Sequence, residues 1–158
     1  MRLVLAIGVL AGSVFGAWSA VTMFWPVSYV TWDVGRSVAF VGFIIGLSLL
    51  ARRDALRGAS FLHTLTSVGV GFLVAASVAI ATYAFVTGPL AHRIVQLPEY
   101  ARDYSHHGFT SPSAYLAVNY NELLMLQVFS WAVGGVIVVA TASIVGRLFA
   151  AASMRQPT

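Results

Sequence analysis

From Leu3 to Trp25 the chain runs without one charged residue, and three more long apolar runs follow. About 20 residues at 1.5 Å each cross a hydrocarbon core, so such runs have few stable homes outside a bilayer. The second run spans Val34 to Ala51, with only Arg36 near its start. The third spans Phe61 to Val86 and the fourth Leu123 to Val145. In lipid every backbone polar group needs a partner within its own segment, which a helix supplies. The expected fold is therefore all-α, an integral membrane bundle of four transmembrane helices formed by residues 1–158 as a single membrane domain. The competing reading of the first run is a cleaved signal peptide, since Arg2 precedes it and Ala17 and Ala20 are small. A signal core is only about 7–15 residues long. This run continues through Val21, Met23 and Phe24, which favours a retained span.

Composition agrees. Charged residues make up 9% of the chain, against about 25% in soluble domains, too few to cover a water-facing surface. The net charge of +4 rests on nine arginines and no lysine. Nucleic-acid binding needs a contiguous basic face, whereas these arginines stand singly or in one short cluster between apolar runs, so no nucleic-acid partner is expected. The absence of cysteine excludes disulfides, thiolate metal sites, haem attachment and a lipoprotein anchor.

The arginines give an orientation instead. One side holds Arg2, Arg52, Arg53, Arg57, Arg147 and Arg155; the other holds Arg36, Arg93 and Arg102. The positive-inside rule then places both termini in the cytoplasm, in a bacterial inner membrane, with the 26–33 and 87–122 connections outside. Trp25, Tyr29, Trp32, Tyr83 and Tyr120 sit where interfacial anchors belong. The long connection is patterned as an exterior helical segment over 89–121: Leu90, Ile94, Leu97, Ala101 and Tyr104 recur at helical spacing, Pro98 divides them, and Gly108 is a stop. Ser111-Pro112 reads as an N-cap followed by proline at the first helical position, from which a helix could run straight into the fourth span.

Helices in lipid associate by close backbone approach rather than by the hydrophobic effect. Gly8, Gly12, Gly16 and Ala20 recur every four residues in the first run. Gly42 and Gly46 lie in the second, Ser67, Gly71, Ala75 and Ala79 in the third, and Ser130, Gly134 and Gly135 in the fourth. Packing within the bundle is the expected use of these rows; the alternative is a homodimer through the first helix.

Chemistry-bearing residues are few. Gln127 is the one carboxamide well inside a run, and no charge lies near a run's centre, where pumps and proton-coupled transporters need one. Adjacent histidines on a helix point about 100° apart, so His106 and His107 suit one metal ion poorly. With His63 on the opposite side, no metal site and no cofactor are expected; the alternative would gather His92, Glu99, His106 and His107. Asp33 and Arg36, three apart, share a helical face. They are expected to form a structural ion pair at the outer membrane edge. The functional alternative is an exterior pocket of Asp33, Arg36, Arg93, Glu99, Tyr100 and Glu122, with Trp32, for a lipid headgroup or small ligand. No catalytic spacing stands out.

One stretch resembles a known family. Residues 46–61, GLSLLARRDALRGASF, run into LHTLTSVGVGFLVAASVAIATYAF at 62–85. An arginine-aspartate pair (Arg53-Asp54) ends a span; a glycine turn (Gly58) and a phenylalanine (Phe61) open the next, followed by a small-residue helix around Gly69 and Gly71. Pro98-Glu99-Tyr100 and Gly135-Val136-Ile137 add to the likeness. This pattern is similar to an uncharacterised bacterial family of four-helix membrane proteins, domain of unknown function 4199. The motifs cover about residues 46–100, while the exterior segment is shorter and less charged than is usual there. The resemblance implies the four-helix architecture and supplies no activity. The functional expectation is a small, non-enzymatic accessory membrane protein that interacts with the lipid bilayer or another membrane protein; the rival is a small transporter, or a membrane enzyme with a lipid substrate.

Overall fold

The computed structural model describes residues 1–24, 29–87 and 110–154, with Pro89, Arg93 and Gly108 singly; side chains at 19–24, 29–33, 86–87, 112, 115, 116, 119, 120 and 123 are not described. Among the described residues are four long α-helices, α1 (Arg2–Phe24), α2 (Tyr29–Leu56), α3 (Phe61–Thr82) and α4 (Pro112–Met154), with a π-helical turn at Tyr83–Thr87 continuing α3. Among the described residues there is no strand. Three helices carry stretches long and apolar enough to cross a membrane: Val34–Leu56, Phe61–Phe85 and Leu124–Met154. The apolar stretch found in α1, Arg2–Trp18, is shorter. The outer surface is apolar, with Leu10, Leu62, Leu73, Val136 and Leu148 all exposed. This is the surface of a helical membrane protein, since a water-facing one would be charged.

Two helices run beyond the expected spans. α2 begins at Tyr29, ahead of the span expected from Val34, where its membrane-crossing stretch also begins. Asp33 ends the apolar run, but nothing between Tyr29 and Val34 breaks a helix, and the nearest breaker is Pro26. α4 extends for 43 residues, about 64 Å, so it takes in residues 112–121 of the exterior segment and outreaches the membrane. Its start is set as the sequence suggested: Ser111 Oγ accepts the amide of Ala114 at 3.2 Å, with Pro112 behind it. The rest of the exterior segment, apart from Pro89, Arg93, Gly108 and Thr110–Ser111, falls outside the described residues.

The turn joining α2 to α3 shows why the chain reverses there. The Gly58 amide donates to Ala55 O at 3.0 Å and the Ala59 amide to Asp54 O at 3.0 Å. With Gly58 at φ +77°, this is a Schellman motif, which closes the open carbonyls of α2. Ser60 then caps α3 by accepting the His63 amide at 3.2 Å. Arg147, from α4, donates to Ala59 O at 2.9 Å and to Thr64 Oγ1 at 3.2 Å, and its guanidinium lies 5.9 Å from the Phe61 ring. One cation thus ties α4 to α3 and to the α2–α3 turn.

α1 packs chiefly on α3 and α2 on α4. Both pairs run parallel, as the first and third and the second and fourth spans of an up-and-down bundle should. In α1 the glycine row faces α3: a Cβ at Gly8 would lie 2.7 Å from Gly71 O, at Gly12 2.6 Å from Ala75 O and at Gly16 2.5 Å from Thr82 Cβ. Gly146 gives α4 the same close approach to Ser48 and Ala51 of α2. Gly71 and Gly46 meet Leu47 and Ile7 side chains at 3.3 and 3.7 Å from a notional Cβ. Gly42 and Gly134 are corrections to the expected packing set. Neither has a heavy atom within 4 Å of its Cβ position.

Toward the turn end, Leu47, Ala51, Val68, Ala75, Ala142 and Ala150 are buried in a close-packed core. Toward the opposite, open end, residues of the four helices line a cavity.

Candidate functional site

The boundary between the closed and open halves is a cluster of four rings, one from each helix. Phe15 of α1 lies edge-on to Phe43 of α2 and Trp131 of α4, with centroids 6.2 and 5.4 Å apart. Phe72 of α3 stacks on Phe43 at 6.0 Å and meets Trp131 at 5.4 Å. Such pairs contribute about 0.5–1.5 kcal/mol each beyond burial. Gly135 makes room for the cluster: a Cβ there would strike the Phe72 ring at 2.5 Å. The rings act as a plug at mid-depth.

Above the plug lies a partly open cavity of about 430 Å³ lined by residues of all four helices. Phe15, Phe72 and Trp131 form its floor. Trp18, Phe40, Ile80 and Tyr83 supply its walls, and Arg36, Ser37, Gln127 and Ser130 its polar groups. Gly134 of α4 lines it too, and Ala79 keeps the α3 wall thin. The local structure explains how each group gets there. Arg36, Ser37 and Phe40 occupy one stripe of α2, at i, i+1 and i+4. Gln127, Ser130, Trp131 and Gly134 form the matching stripe of α4, at i, i+3, i+4 and i+7. Tyr83 is the first residue of the π turn and is buried. Such turns widen a helix by one residue and recur at functional sites.

The depth of the site follows from helix rise. Arg36 lies about 24 Å along α2 from Arg52, and Gln127 about 30 Å along α4 from Arg147. Against a hydrocarbon core of about 30 Å, these distances set the polar groups of the cavity close to one core thickness from the arginines of the turn end. Rings line one side of the space and hydrogen-bonding groups the other. A guanidinium offers five donors in a planar fork suited to carboxylate or phosphate, and Gln127, Ser37 and Ser130 add neutral partners.

Of the residues singled out from the sequence, Arg36 lines this cavity. Glu122 is exposed on the outer part of α4 and is not among the lining residues; Arg93 is exposed in helical conformation. Glu99 and Tyr100 fall outside the described residues, as does the side chain of Asp33, so the expected Asp33–Arg36 pair does too. Among the described residues no three of His, Cys, Asp and Glu come together; His92, His106 and His107 are not among them. The aromatic plug and the cavity walls went unread in the sequence. Rings are common in membrane helices, and only the depth match of Phe15, Phe43, Phe72 and Trp131, one per apolar run, marks them out.

Fold and cavity together define a helical membrane protein with an aromatic, arginine-tipped chamber in one half of its bundle. No family model, curated protein or solved structure matches the chain.

Proposed function

We propose that the protein is a four-span, non-enzymatic accessory protein of the bacterial inner membrane, with both termini cytoplasmic, that holds an anionic amphiphile in its exterior-side cavity. The single observation that carries this reading is the Arg36–Gln127 tip over an aromatic floor. α1 counts as the fourth span because its helix of 23 residues, about 34 Å long, runs beside α3 from Gly71 to Thr82. The arginine split supports the orientation, and the likeness of residues 46–100 to the four-helix family is in keeping with the architecture.

The alternatives were a small transporter and an enzyme with a lipid substrate. A transporter needs a second opening, whereas this cavity ends on the ring plug above a close-packed half. Its described lining offers donors and rings, the equipment for holding an anionic head rather than for acid–base work.

Purification in mild detergent followed by lipid extraction tests the reading. Wild type should carry near-stoichiometric anionic lipid, while Arg36→Gln should insert and fold but lose most of it. Equal lipid content in both folded proteins would refute it.

A further inference from the structure

A second space lies beside the cavity. Between α1 and α2, directly below the chamber, lies an apolar groove of about 240 Å³ lined by Leu10, Ala11 and Val14 on one side and Ala39, Gly42 and Gly46 on the other. At its foot Gly46 sits against Ile7. Its middle is open to the lipid at Gly42, where nothing lies within 4 Å of a Cβ position. Phe15 lines both the groove and the chamber, so one ring is the only lining residue that the two spaces share.

We infer that this groove holds an acyl chain of the same molecule whose anionic head sits at Arg36. The ligand would then be a membrane lipid lying along the protein, its head inside the chamber and one chain passing Phe15 into the α1–α2 groove. This rests on the cavity reading above and adds the ligand class and the path of its chain. Three observations bear on it. The groove is lined by apolar side chains and glycine, which suits a hydrocarbon chain and no polar one. It continues the chamber toward the bilayer centre rather than away from it. Its length also fits: from Arg36 to Gly46 is about 15 Å along α2, half of a hydrocarbon core of about 30 Å and therefore one leaflet deep. A chain anchored by its head at Arg36 would end near the foot of the groove.

The test compares phosphatidylglycerol carrying two sixteen-carbon chains, the same headgroup with two six-carbon chains, and glycerol phosphate, each titrated into delipidated full-length protein and read by native mass spectrometry. The variants are wild type, Arg36→Gln and Gly42→Leu. The Gly42 position is open on the lipid side, so leucine fills the groove without striking a neighbour; Leu10→Trp fills it from the α1 side as a second, independent block, and circular dichroism confirms helicity in each. Wild type should bind the long-chain lipid at least tenfold more tightly than the short-chain one, and glycerol phosphate weakest. Gly42→Leu and Leu10→Trp should remove that chain-length preference while keeping short-chain binding, and Arg36→Gln should weaken both lipids. If both groove variants keep the full preference while Arg36→Gln still weakens binding, the chain lies elsewhere and this inference is overturned with the cavity reading intact. If glycerol phosphate binds as tightly as the long-chain lipid, the chain has no role and the inference also fails. If Arg36→Gln binds all ligands like wild type, the cavity reading itself falls.

Discussion

Gly12 shows how little room a single position in this bundle has. A Cβ there would sit 2.6 Å from both the Ala75 carbonyl oxygen and Val78 Cβ, so Gly12→Ile must push α1 off α3. Overpacking of this kind costs about 1–3 kcal/mol or more, and the detergent-solubilised variant should melt well below wild type. Leu10→Ile, at a side chain 69% exposed, should melt like wild type; equal losses at the two positions would mean that the row does not hold the helices together. Arg147 makes the opposite point. Read from the sequence it was one vote for orientation, but in the fold it bridges Ala59 and Thr64. Hydrogen bonds to charged groups contribute about 1.5–3 kcal/mol, and the site is part-buried, so Arg147→Gln should lower unfolding stability by roughly 1–2 kcal/mol. An unchanged urea or SDS unfolding curve would contradict the clamp. Position in the chain revealed the charge of Arg147 but not its contacts, because both partners are more than 80 residues away.

At the scale of elements, the helix starts and stops that depend on local chemistry were legible. Ser111-Pro112 opens α4 and Gly58 closes α2, since capping and positive φ are properties of a few adjacent residues. Gly58→Ala should cost about 1–2 kcal/mol, the penalty of a left-handed conformation for a residue with a Cβ. Hydrogen exchange should quicken at the Gly58 and Ala59 amides first, and uniform protection would argue against the motif. Less legible were features without a local signal. The start of α2 at Tyr29 was hidden because hydrophobicity and helicity part company at Trp32-Asp33. Nothing in Tyr83–Thr87 announces a π turn, and that turn belongs to the cavity wall. The small-residue rows identified Gly8, Gly12, Gly16 and Gly71 as sites of close approach. They misassigned Gly42 and Gly134, because spacing alone does not tell a glycine that admits a helix from one that borders a cavity.

The whole molecule is built as a closed half and an open half, divided by four rings. Parallel pairing of α1 with α3 and α2 with α4 holds the turn end tight, while Gly42 borders the groove and Gly134 the chamber. The central claim is that the chamber opens on the exterior side while the turn end faces the cytoplasm. Because the chain has no cysteine, single cysteines can report on it directly. Ser130→Cys lines the chamber, Ser143→Cys is buried in the closed half, and Ser153→Cys is exposed beyond the turn end. In intact cells, after osmotic permeabilisation of any outer membrane, a membrane-impermeant maleimide should label Ser130→Cys and spare the other two; Ser153→Cys should react only once the inner membrane is opened. Labelling of Ser153→Cys in sealed cells, with Ser130→Cys protected until the inner membrane is breached, would contradict the account.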